Sequence, residues 1–167
     1  AYADKVLNLA QRANLHFVAN PLSNISLMGR FDSYPKRRGI TRVREILAKG
    51  LNISLGHDNV MDPFYGLGTA SMLQVANMCL HVCQMTGVSE MNQVFDMITH
   101  NGAKTLQIME AYGMEEGKPA NLVVLDARDE VDALRRMSTA TTVISRGHVV
   151  ASTQPMRSRV VLGSHEE

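Results

Sequence analysis

The hydrophobic positions follow three different patterns along the chain. Val6, Leu7, Ala10 and Ala13 recur at helical spacing among Asp4, Lys5, Gln11 and Arg12, which predicts a helix over Tyr2–Ala13 stopped at Asn14. Leu15–Ala19 is apolar without clean alternation, as a strand buried on both faces of a parallel sheet should be, and Asn20-Pro21 closes it. Leu22–Gly39 has no period and reads as a long polar loop. Ile40, Val43, Ile46 and Leu47 then share one face of a helix over Ile40–Lys49, with Gly50 just past its end. Asn52–Leu55 is a second buried strand that runs directly into Gly56-His57-Asp58-Asn59. Ser71–Met85 and Met91–Thr99 read as helices. Beyond Gly113 the pattern turns to short strands at Asn121–Leu125, Thr142–Ser145, His148–Ser152 and Val160–Leu162. Arg146-Gly147 is a hairpin turn and Asp132–Arg136 one helical turn.

Strand, helix and strand in succession is the repeating unit of a parallel α/β sheet or barrel. The expected fold class is therefore α/β for residues 1–108, with a small β-subdomain over 109–167. A length of 167 residues sustains a real core. It falls short of the roughly 250 residues of a complete (β/α)₈ barrel. The chain opens Ala-Tyr-Ala-Asp without Met, so these are not expected to be its natural first residues. No apolar run approaches the roughly 20 residues of a membrane span, and no signal peptide is visible. Lys and Arg (17) against Asp and Glu (16) leave a formal charge of +1, which gives no global drive toward nucleic acid or membrane.

Three segments carry candidate chemistry. Gly56-His57-Asp58-Asn59 lies at the carboxyl end of a predicted strand, where α/β folds build their sites. A carboxylate at Asp58 could ligate a metal and exchange a proton with its water. Equally, Asp58 could cap the next helix while His57 merely packs. The segment Gly29–Arg44 holds Lys36, Arg37, Arg38, Arg42 and Arg44 beside Phe31 and Tyr34. It reads either as a single-strand nucleic-acid surface or, with net charge near zero, as a loop over a site that pairs its charges internally. Cys79 and Cys83, four apart around His81, read as core thiols in a reducing cytoplasm rather than as a disulfide or a metal site.

Beyond these local signals the chain resembles the cytosine deaminases of the amidohydrolase superfamily. The likeness runs in order through Phe17-Val18-Ala19-Asn20-Pro21, Gly29-Arg30-Phe31-Asp32, and Tyr34-Pro35-Lys36-Arg37-Arg38-Gly39-Ile40-Thr41-Arg42-Val43. It continues through Gly56-His57-Asp58, Asp62-Pro63, Leu67-Gly68-Thr69-Ala70, Met72-Leu73-Gln74-Val75 and Leu80-His81-Val82-Cys83-Gln84, and on to Ala120–Leu125, Ala133–Arg136 and Val150–Pro155. The resemblance implies the C-terminal part of a (β/α)₈ barrel, with Leu15–Ala19 and Asn52–Leu55 as its seventh and eighth strands, plus part of a small β-sandwich. It implies one divalent metal, iron or zinc. Asp58 is the metal and catalytic position, and His57, Asn59 and Phe64 are substrate-binding positions. The remaining ligands and the glutamate that handles ring protons are expected upstream of this chain. Two positions depart from the family pattern: Asn59 stands where a second Asp is usual, and Phe64 where Trp is usual.

The implied activity is hydrolytic deamination of cytosine, or a close cyclic amidine, to uracil and ammonia by a metal-activated water. Such a protein serves pyrimidine salvage in the cytoplasm. Its expected partners are a small pyrimidine-type substrate and either further copies of itself or the N-terminal part of the same enzyme, with no nucleic acid and no membrane. Asn59 and Phe64 keep open another ring deaminase or a cyclic amidohydrolase. The non-enzyme alternative is an inactive fragment acting as an assembly domain, and the isolated chain is expected to be inactive.

Overall fold

A computed structural model describes residues 2–160. Strand β1 (Phe17–Ala19) pairs in parallel with β2 (Ile53–Leu55), Phe17 opposite Ile53 and Ala19 opposite Leu55. Between them run α2 (Pro21–Leu27) and α3 (Val43–Ala48), and α1 (Tyr2–Arg12) precedes β1. After β2 come α4 (Met72–Val82), α5 (Val88–Ile98) and α6 (His100–Thr105). The rest is an antiparallel meander of β3 (Leu122–Leu125), β4 (Ala140–Ser145) and β5 (His148–Ser152), with α7 (Glu130–Arg136) inserted after β3.

All three residues of β2 are buried, and Ile53, Val75, Val94, Met97 and Leu134 form the driest part of a single core. Leu134 carries α7 onto α4 and α5, and Asn77 Nδ2 donates to the Leu134 carbonyl at 2.9 Å. The expectation that β1 is buried on both faces needs correction. Val18 is 50% exposed, while Ala19, on the opposite face, is buried.

Other boundaries moved for local reasons. Pro21 does not simply close β1: it takes the first turn of α2, where its missing N–H costs nothing. The polar loop therefore spans Met28–Arg42, and α3 begins at Val43 rather than at Ile40. Helix α5 starts earlier than Met91, at Val88, where the Glu90 carboxylate accepts the Gly87 N–H at 3.0 Å. Helix α6 was not expected, its sequence His-Asn-Gly-Ala-Lys-Thr having no apolar period. Arg146 (φ 50°) and Gly147 (φ 81°) make the two-residue hairpin turn as expected. Val160 is not in a strand, and Val161 and Leu162 lie outside the described residues. No helix among the described residues is long and apolar enough to cross a membrane.

The thiols of Cys79 and Cys83 lie 3.9 Å apart and unlinked, and Cys79 is fully buried. The Cys83 contact and burial both push the Cys79 thiol up, as suits an inert core group.

Asp132 organises α7. It is nearly buried, and it accepts from Arg135 Nη2 at 2.8 Å, Arg136 Nη1 at 3.0 Å and the Arg128 N–H at 3.4 Å. Arg135 leads in holding its carboxyl down, to about 2. A carboxyl depressed on folding stabilises the fold above its unfolded value near 4, and that contribution is lost as pH falls toward 2. Asp132→Asn is therefore expected to lower the urea midpoint at pH 6, with the gap to wild type closing as pH drops from 4 to 2. A gap independent of pH would assign the loss to packing instead.

Candidate active site

The end of β2 sets the site. The Gly56 N–H extends the strand pairing by one bond, to the Ala19 carbonyl at 2.9 Å. A Cβ at Gly56 would stand 3.0 Å from Val18 Cγ1 and collide with Asn20 Oδ1, so any larger residue here has to displace the Asn20 amide.

The backbone then reverses within three residues. The Asn59 N–H donates to the His57 carbonyl at 2.9 Å, and the residue between, Asp58, has φ 66°. This is a γ-turn with positive φ at its centre, the rarer and strained of the two γ-turn forms. Asp58 sits at its apex, exposed. It does not cap the following helix, which begins only at Met72.

Side chains close around the turn. His57 Nδ1 lies 2.7 Å from the Asn59 carbonyl oxygen, which only accepts, so Nδ1 carries the hydrogen. His57 Nε2 is buried with no partner. Tyr65, itself buried, meets the ring edge-on with centroids 6.3 Å apart. Gly68 (φ 97°) covers Nε2 so closely that a Cβ there would lie 2.8 Å from it. From the other side Ser23 Oγ of α2, also buried, stands 3.4 Å from both the His57 carbonyl and Asn59 Oδ1.

Asn59 and Phe64 meet at Asp62. Asn59 Nδ2 donates to Asp62 Oδ2, while Asp62 Oδ1 accepts the Phe64 and Tyr65 N–H groups at 2.9 Å each. Tyr65 N–H first, then the Asn59 amide and Phe64 N–H, hold the Asp62 carboxyl below its ordinary value. The Phe64 ring is 68% exposed. The structure thus brings His57, Asp58, Asn59 and Phe64 into one loop at the carboxyl end of β2. It adds Ser23, Asp62, Tyr65 and Gly68, none of which was expected to take part. Asp62-Pro63 was readable as a turn, since Asp at the first position commonly accepts N–H groups two and three residues on.

Among the described residues no three His, Cys, Asp or Glu side chains gather as a metal site. Asp58 fits as one ligand of a divalent ion, being an exposed carboxylate at a strand's carboxyl end. The chain's described residues do not make a complete ligand set. The basic loop pairs part of its charge within itself at the surface, with Arg37 bidentate to Asp32 at 2.7 Å and Lys36 Nζ on the Arg30 carbonyl at 3.1 Å.

Residues 1–151 match the amidohydrolase family. A pterin deaminase of Rhizobium rhizogenes is 26% identical over 92% of this chain and 35% of its own length. A 5'-deoxyadenosine deaminase of Methanothermobacter thermautotrophicus is 36% identical over 65% of this chain and 23% of its own. The crystal structure of 5-methylcytosine deaminase from Klebsiella pneumoniae, liganded with 5-fluorocytosine, superposes with a TM-score of 0.90. It is 37% identical and covers 95% of this chain and 38% of that one. The chain therefore spans about a third of the length of such relatives.

Proposed function

The chain belongs to the amidohydrolase family, and from that premise we propose that the full-length protein hydrolytically deaminates cytosine or a close cyclic amidine. The observation that carries this reading is Asp58, an exposed carboxylate at the apex of a strained turn ending β2. The extended likeness to a pyrimidine deaminase supports the ring class. In this reading β1 and β2 are the last two strands of a (β/α)₈ barrel, and residues 109–167 belong to a small β-subdomain. Residues outside this chain complete the ligand set. The protein acts in the cytoplasm, in pyrimidine salvage.

The reaction converts C–NH₂ and water to C=O and ammonia. A divalent ion, iron or zinc, supplies a Lewis acid that lowers the pKa of water when bound. Asp58 would be one ligand of that ion, and its carboxylate would take the proton released as water adds to the ring carbon and return it to the departing nitrogen. Phe64 presents an exposed ring face on which a planar heterocycle can stack. Asn59 shapes the substrate side through its bond to Asp62.

Ammonia release is measured on cytosine, other aminopyrimidines and pterins, with and without a chelator. Turnover that survives complete metal removal would refute the mechanism, and turnover confined to rings other than pyrimidines would refute the substrate. The second reading, a deaminase of another ring, is favoured by the departures at Asn59 and Phe64.

Restoring the family pattern, Asn59→Asp with Phe64→Trp, is expected to shift the kcat/KM ratio between cytosine and larger rings by about tenfold or more. Neither residue carries charge into the chemical step, so the change falls on preference. A uniform fall across all substrates would instead mean damage to the loop.

A further inference from the structure

Asp58 is held from both sides by a single residue. The His57 carbonyl accepts the Asn59 N–H at 2.9 Å, and His57 Nδ1 donates to the Asn59 carbonyl at 2.7 Å. These two bonds close a ring over the one residue between them. They oppose the strain of a positive φ at a residue with a Cβ, Asp58 at φ 66°. The ring nitrogen that could reach a ligand is covered: Nε2 is buried under Gly68, and Tyr65 closes the edge.

We infer that His57 is a positioning residue: it does not touch substrate but clamps the γ-turn that aims the Asp58 carboxylate. The inference rests on the proposed function, and it replaces the expectation that His57 binds substrate directly. The group that matters is a hydrogen donor at Nδ1. Asn can place its amide nitrogen near Nδ1, whereas Gln places its own near Nε2 and Ala has none.

The test uses the full-length protein with His57→Asn, His57→Gln and His57→Ala. Each variant is assayed for kcat and KM, for bound metal per chain, and for the φ of residue 58 in a crystal structure. His57→Ala and His57→Gln are expected to lose about 10–100-fold, as partners that orient a metal ligand typically do. The loss falls in kcat or metal content, with KM within about threefold of wild type and residue 58 leaving the positive-φ region. His57→Asn keeps residue 58 at positive φ and restores most of kcat. A rise in KM as the main effect, or equal behaviour of Asn and Gln, overturns the clamp. So does unchanged φ at residue 58 in the Ala variant. Failure of the functional reading looks different: Asp58→Asn then leaves turnover intact, while the φ measurement still decides whether His57 holds the turn.

Discussion

Asp58→Asn in the full-length protein is expected to reduce kcat by about 10²–10⁴-fold, and further if metal is lost with it. Asn is nearly isosteric and tolerates positive φ better than most residues, so the turn at φ 66° survives the exchange. What disappears is the negative charge and the capacity to hold a proton between water and the leaving nitrogen. Circular dichroism and melting temperature should therefore stay near wild type while turnover collapses. A variant within about threefold of wild type would show that the carboxylate takes no part in proton transfer.

The second large effect concerns residues 1–167 by themselves. That polypeptide is expected to retain no tightly bound metal and to release no ammonia from cytosine above background. Catalytic metal sites use about three protein ligands, and among the described residues no such group converges. Among the described residues the outer edges of the two-stranded sheet β1–β2 pair with no further strand, and Val18 is half exposed. Exposed edges and apolar faces favour self-association. Metal analysis, sedimentation and an ammonia assay on residues 1–167 test this directly. A monomer that holds one ion tightly and turns over cytosine would refute it. Activity regained on adding the remainder of the enzyme would support it.

The elements that could be read in the sequence were those whose apolar residues face one core. β2 was visible because Ile53 and Leu55 are buried and the chain turns polar immediately afterwards. α4 was visible because Val75, Ala76, Cys79 and Leu80 make one inner stripe. α2 was hidden because Asn20-Pro21 marks both the end of a strand and the start of a helix, and the short helix that follows buries Ser23 as well as Leu22. α6 was hidden for a related reason: polar side chains, not apolar ones, tie it down. Asn101 Nδ2 donates to the Ile53 carbonyl and Thr105 Oγ1 to Ser54 Oγ, each at 3.0 Å. At the site, Asp58 stood out by its place after a strand. Its supports did not, since Tyr65, Gly68 and Ser23 act through contacts made 8, 11 and 34 residues away along the chain, separations no helix or strand period encodes.

The bond between Asn59 and Asp62 sets the order in which this loop can be changed. Asn59 meets Asp62 through an amide hydrogen, and the same carboxylate fixes the backbone of Phe64 and Tyr65. An Asp introduced at position 59 would face that carboxylate without a hydrogen to offer, and one of the pair would have to take up a proton or swing away. Exchanges at 59 and 64 are thus mechanically linked and should not combine additively. For anyone grafting a new ring specificity onto this scaffold, positions 59 and 64 belong to one cassette around Asp62 and are to be exchanged together rather than singly.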